Sequence, residues 1–125
     1  MKVATREATA ICKNKTAKVR VMMDAQYFHL SFMARRRFEE LFGTIWEKSA
    51  KTEVIIGKDK MVLDKFATID LKINNKYLKN IFIWLIDDDS LIDIFPPEYK
   101  KYNTQIDIIL GSIVLQNYNI SLREL

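Results

Sequence analysis

The sequence predicts a mostly β domain, closed into a small barrel or sandwich, with one helix after Asp24 and one near the C-terminus. Three observations carry that prediction. Most apolar residues fall in short runs that alternate or are continuous, as strands require. Turn residues separate these runs. Helical spacing of apolar residues occurs in only two places. With 125 residues, a single domain spanning 1–125 is expected, long enough to bury a core and carried within a larger protein.

Residues 8–23 alternate β-formers around "KNKT", which reads as the turn of an opening hairpin. The second strand ends in "VRVMMD", with a carboxylate, Asp24, at the end of an apolar run. A buried carboxylate is costly unless it is hydrogen-bonded. "SFMARRRFEELFG" reads as a helix, with Ser31 as N-cap and Gly43 as its stop. Ala34, Phe38, Leu41 and Phe42 share one face of it. "KTEVIIGKDKMVL" reads as two short strands around a Gly-Lys-Asp-Lys turn. "FATIDLKINNKYLKNIFIWLI" is the clearest hairpin: Ile69, Leu71 and Ile73 alternate with polar residues, and Asn74-Asn75 make the turn. "IFIWLI" is apolar on both faces and is expected to be a central strand. "DDDSLIDIFPPEYKKYNTQ" holds both prolines and reads as a long surface loop with at most a short helical turn. In "IDIILGSIVLQNYNISL", a buried strand, Ile106 to Leu110, meets Gly111; a helix follows, then a final strand with Ile120 and Leu122.

Composition narrows the function classes. Apolar residues make up 49% and charged residues 29%, ordinary for a folded domain. No apolar run is long enough for a membrane helix, and no membrane partner is expected. The N-terminus lacks the apolar core of a signal peptide. Cys12, the one cysteine, is expected to be a plain strand residue in a reducing, intracellular and cytoplasmic setting. The net charge of +4 favours anions, but it is dispersed. Arg35-Arg36-Arg37 reads as a solvated helix face, so nucleic acid is not the expected partner. Asp87 to Asp89 read as solvated loop, and neither a metal nor another cofactor is expected. His29 reads as partly buried packing.

Two stretches in order carry a resemblance: the hairpin feeding "VRVMMD" before "HLSFM", and "DIILGSIVLQNYNISL" near the end. The chain resembles the retropepsin-like aspartic proteases of retroviruses and retrotransposons over residues 8–122, most in the flavour of the retrotransposon-type enzymes of animal genomes. The resemblance implies a small closed β-barrel. It makes Asp24 the catalytic aspartate, "IIGKDKM" the flap with its tip at Gly57, Lys58 and Asp59, and Ile109, Leu110 and Gly111 the closing motif. It also implies a dimer, with itself or with a related chain, because each subunit of that family donates one aspartate to a shared dyad. Ala8–Cys12 and Ile120–Leu125 are the expected intersubunit strands.

The family's triplet is Asp-Ser/Thr-Gly; here it is Asp24-Ala25-Gln26. Ala25 lacks the hydroxyl that the family uses to tie its two catalytic loops, about 1 kcal/mol per lost hydrogen bond. Gln26 puts a long side chain where glycine allows close approach; it is expected to fill the cleft or bond Asp24, with added strain if φ is positive. The expected function is a catalytically inactive, dimerising protein-interaction module. The alternative is an active homodimeric endopeptidase using one Asp24 from each subunit. An RNA-binding role rests on charge alone.

Overall fold

The computed structural model describes residues 3–87, 91–102 and 105–122. Within them the strands are β1 (Val3–Cys12), β2 (Lys15–Asp24), β3 (Phe32–Ala34), β4 (Glu47–Ile56), β5 (Asp59–Ile73), β6 (Lys76–Ile86) and β7 (Ile108–Leu110). Helix α1 (Arg35–Phe42) follows β3, and α2 (Ser112–Asn117) follows β7. The sheet order is β1-β2-β7-β3-β6-β5-β4, and β1 also pairs with β5. That last pairing closes six strands into a ring and leaves β4 outside it, held by the N-terminal half of β5. Closure removes sheet edges, as in small barrels.

The turns follow local chemistry. Lys13 (φ 45°) and Asn74 (φ 53°) take the left-handed conformation that tight hairpins need, and Asn tolerates it well. The β5–β6 hairpin closes at Ile73↔Lys76, as the Asn74-Asn75 reading requires. Gly43 stops α1 with φ 88° and donates its N–H to the Glu39 carbonyl at 2.8 Å.

Two cores explain the continuous apolar runs. Alternate residues of one strand feed opposite sides: Val21 and Met23 pack in the ring interior, whereas Met22 packs outside it. In the same way β6 sends Ile83 and Leu85 inward and Trp84 and Ile86 to the second core. β6 lies between β3 and β5, the central position expected for "IFIWLI". The second core also holds Phe28 and Phe32 with Val54, Ile56 and Leu63 of the β4–β5 hairpin. Cys12 is buried in the first core, and burial pushes its thiol above the ordinary range.

Several expectations need correction. In the described part of "DDDSLIDIFPPEYKKYNTQ" the helical turn is present, as 3-10 turns at Leu91–Ile94 and Pro97–Tyr102, but the segment does not stay at the surface: Leu91, Phe95 and Tyr99 are buried in the second core. Asp88 and Asp89 lie outside the described residues, whereas Asp87 bonds Arg35 at 2.7 Å. The two strands expected around the Gly-Lys-Asp-Lys turn are present as β4 and the start of β5, but the second is not short: it runs on into the first strand of the "FATIDLKINN" hairpin as one strand of 15 residues. Ser31 does not cap α1: the N-cap is Ala34 with no side-chain bond, and residues 32–34 pair as β3. Among the described residues 120–122 form no strand, and Arg123 to Leu125 lie outside them. Thr9–Ile11 of the expected intersubunit strand is paired on both edges, by β2 and β5, which leaves no free ladder there.

The Arg35–Arg37 stretch is tied by ion pairs. Arg35 bonds Glu39 at 2.9 Å as well as Asp87, and Arg37 bonds Asp107 at 2.7 Å. The Arg35 hydrogen bond, above all other causes, holds the Asp87 carboxyl below its ordinary range. No helix of the described residues is long and apolar enough to cross a membrane.

Candidate functional site

Asp24 ends β2 on the same face as Met22, which directs it into the second core. It is fully buried, and both carboxylate oxygens are occupied. Oδ1 accepts the Gln26 N–H at 3.0 Å and the Tyr99 hydroxyl at 2.9 Å. Oδ2 accepts the N–H groups of Tyr27 at 2.9 Å and Phe28 at 2.5 Å. An ionised carboxylate offers about four acceptor positions, and these four donors fill them. Three donors come from the next turn of chain, the habit of aspartate at a strand-to-loop junction. The fourth comes from a residue 75 positions away.

Tyr99 is the functional-site residue that the sequence reading missed. Burial first, and then the hydrogen bond to Asp24, push its phenol well above the ordinary range, so it is a durable donor. Its ring lies edge-on to Tyr27 at 5.6 Å and to Phe95 at 6.4 Å. These aromatic pairs fix the hydroxyl over Asp24. The spacing of Leu91, Phe95 and Tyr99 by fours was a readable signal that one face of this acidic, proline-bearing stretch is apolar.

Ala25 and Gln26 are not buried. Gln26 bonds Asp24 through its backbone N–H at 3.0 Å, and its side chain is exposed. Gln26 is also absent from the left-handed region, so the anticipated backbone strain does not arise. His29 is exposed rather than packed, and its Nδ1 lies 3.0 Å from the Ser112 hydroxyl.

The loop after Asp24 is fastened to the start of α2. The first N–H groups of the helix donate to loop carbonyls, Ser112 to Phe28 at 2.9 Å and Ile113 to His29 at 3.2 Å. The Ser31 hydroxyl accepts the Gly111 N–H at 3.0 Å, which is the work that this serine does instead of capping α1. Gly111 permits this approach: a Cβ there would overlap the backbone of His29 and Leu30. Ile109 and Leu110 precede it in β7, buried on opposite sides. The closing motif therefore supports the Asp24 loop from behind.

The β4–β5 hairpin stands over the same loop. Its turn is Gly57-Lys58, and Asp59 already pairs back to Ile56, one residue tighter than a three-residue tip. Gly57 (φ 62°) sits against the Tyr27 hydroxyl so closely that a Cβ would overlap it. The hairpin tip, Tyr27, Tyr99 and Asp24 thus form one contact chain. Beside it lies a cavity of about 860 Å³, with Tyr27, Ile56 and Met61 on one side and Ile94, Phe95 and Pro96 on the other. Asp24, Ala25 and Gln26 are not among its lining residues.

The architecture has the element order of the retropepsin-like fold: opening hairpin, strand ending in aspartate, overhanging hairpin, then strand, glycine and helix. No family model matches the chain. No curated protein matches it. Among solved structures it is similar to the crystal structure of a retropepsin-like aspartic protease from Rickettsia conorii, at 16% identity and a TM-score of 0.47, over 92% of this chain and 80% of that one.

Proposed function

We propose that this chain is a retropepsin-like domain without peptidase activity that acts as a dimerising protein-interaction module. The observation that supports this reading is the occupancy of Asp24. A carboxylate that activates water needs an open oxygen within hydrogen-bond reach of that water. Both oxygens of Asp24 are engaged by donors of its own chain, and no surface remains on which a second carboxylate or a water can sit. In this role Asp24 organises the loop for which Gly111 and Ser31 provide the backing. Ala25 and Gln26 lie at the surface of that loop and are offered to a second copy or to a related chain.

The alternative, a homodimeric aspartic endopeptidase, requires Tyr99 and the loop N–H groups to release Asp24 before it can face its counterpart. Two measurements separate the readings. Incubation with unfolded peptides from acidic to neutral pH is expected to leave them intact; cleavage that disappears in Asp24→Asn establishes the endopeptidase. Light scattering at high micromolar concentration is expected to give twice the monomer mass, and a clean monomer refutes self-association.

A further inference from the structure

We infer that the outer face of β2, β1 and β5 carries a binding site for a phosphate group, free or on a small monoester, built from Arg20, Lys18, Lys72 and Thr9. The outward side of β2 passes from the second core at Met22 to solvent at Lys18, and Arg20 is half-buried between them. The Arg20 Nε–H is buried without a hydrogen-bond partner, the one such side-chain atom among the described residues. Two carboxylates stand close by and leave it unbonded. Asp107 has one oxygen on the Arg20 backbone N–H at 2.8 Å and the other on Arg37 Nε at 2.7 Å. Glu7 is opposite Arg20 in the β1–β2 register, but it is exposed. A shielded donor that neither protein nor water meets is costly, and an acceptor that draws the guanidinium outward removes that cost.

The neighbouring side chains favour a multiply charged oxyanion as that acceptor. Thr9 pairs with Lys18 on one side and with Lys72 on the other. Strand spacing sets these lysines about 10 Å apart across Thr9, and Arg20 about 7 Å along β2 from Lys18. Side chains of this length converge on one tetrahedral group, to which the Thr9 hydroxyl adds a further donor. Asp70, the next outward residue of β5, lies on the far side of Lys72 from Arg20 and accepts the Asn80 N–H at 2.9 Å. With Asp107 held by Arg37, three cations face one carboxylate, Glu7. This balance suits a dianion better than a carboxylate, and arginine offers two parallel N–H groups that match a pair of phosphate oxygens. Glu7 and Lys18 line two adjoining cavities, about 550 Å³ toward Gln105 and about 280 Å³ toward Asn74, which leaves room for the group that a phosphate is attached to. Asp24 is buried elsewhere, so this site is independent of either reading of the domain's activity.

The test is an NMR titration of the isotope-labelled full chain with inorganic phosphate, with glycerol phosphate and with acetate, chloride holding the ionic strength constant. The resonances followed are the Arg20 Nε–H and the backbone amides of Thr9, Lys18 and Lys72. A saturable shift with a Kd of about 1 mM is expected for phosphate, and binding about tenfold weaker for acetate. The tighter of the two phosphates identifies the source: inorganic phosphate the free ion, glycerol phosphate an ester whose remainder occupies the adjoining cavity. Arg20→Lys keeps the charge and loses the paired N–H groups, so it is expected to weaken binding about fivefold, whereas Glu7→Gln removes the competing carboxylate and is expected to strengthen it about threefold. If circular dichroism shows that Arg20→Lys disturbs β2, the exposed pair Lys18→Gln with Lys72→Gln decides, with an expected loss of about tenfold. Shifts that fail to saturate by about 20 mM, equal affinity for acetate, or an affinity unchanged in Arg20→Lys or in the lysine pair overturns the site.

Discussion

Asp24→Asn gives different outcomes under the two readings of this site. In a paired dyad of a homodimer the substitution exchanges both carboxylates for amides, which removes like-charge repulsion and is close to neutral for stability. In this structure each oxygen of Asp24 accepts two hydrogen bonds. Whichever way the new amide turns, its NH₂ group meets two donors. Turned one way it faces the N–H groups of Tyr27 and Phe28; turned the other way it faces the Gln26 N–H and the Tyr99 hydroxyl, of which only the hydroxyl can rotate away. Each buried donor left without an acceptor costs about 1–3 kcal/mol. The expected loss is about 3 kcal/mol, and for a chain of this length about 12 °C in Tm. Thermal and urea unfolding followed by circular dichroism measure it, with an unchanged urea slope confirming that the native state stays compact. A loss below about 1 kcal/mol, or a gain, refutes the structural role assigned to Asp24.

Tyr99→Phe keeps the ring packing and removes one donor to Asp24, so it is expected to destabilise by about 2 kcal/mol and to change the alkaline limb of stability. The folded phenol is raised, so its contribution is complete below the ordinary tyrosine range and is lost as pH rises beyond it; the variant is expected to lose less stability above about pH 10 than the parent in urea titrations. Gly111→Ala places a methyl group against the His29–Leu30 backbone, and a loss of more than about 3 kcal/mol is expected in the same assay; a neutral result refutes the backing role of β7 and α2. Gly57→Ala is expected to cost about 2 kcal/mol from positive φ and from overlap with Tyr27, and Tyr27→Phe is expected to return part of it, read as a coupling energy in a double-mutant cycle.

Local features were readable and distant ones were not. Asn74-Asn75, Gly43 and the alternation of Ile69, Leu71 and Ile73 act through backbone rules that need no tertiary partner, and each stands where the sequence placed it. Asp24 at a strand end was equally plain, and three of its four donors are local. The fourth, Tyr99, was hidden because prolines, lysines and acids around it signal solvent, while burial depends on the Phe28 and Phe95 rings that meet it. Ser31 misled for a related reason. A serine ahead of an apolar-periodic run fits an N-cap, but pairing of β3 with β6 and β7 overrides the local preference and frees the hydroxyl for Gly111. The presence of two cores was legible only as apolar runs without alternation in β6 and β7, which a single sequence cannot assign to sides.

β5 changes neighbours midway along its length. Its last residues are locked between β1 and β6, whereas Asp59 to Leu63 pair only with β4. Between Lys48 and Thr52 the β4 register slips against that boundary, next to Asp64 and Lys65. Such a slip bends a ribbon and loosens its ladder. The overhanging hairpin is therefore a lever whose pivot lies inside a strand, not in a connecting loop. A swing of the tip on that pivot leaves the closed ring intact but has to draw Val54, Ile56 and Leu63 out of the second core, so the resistance to it is set by that burial together with the contact of Gly57 on Tyr27.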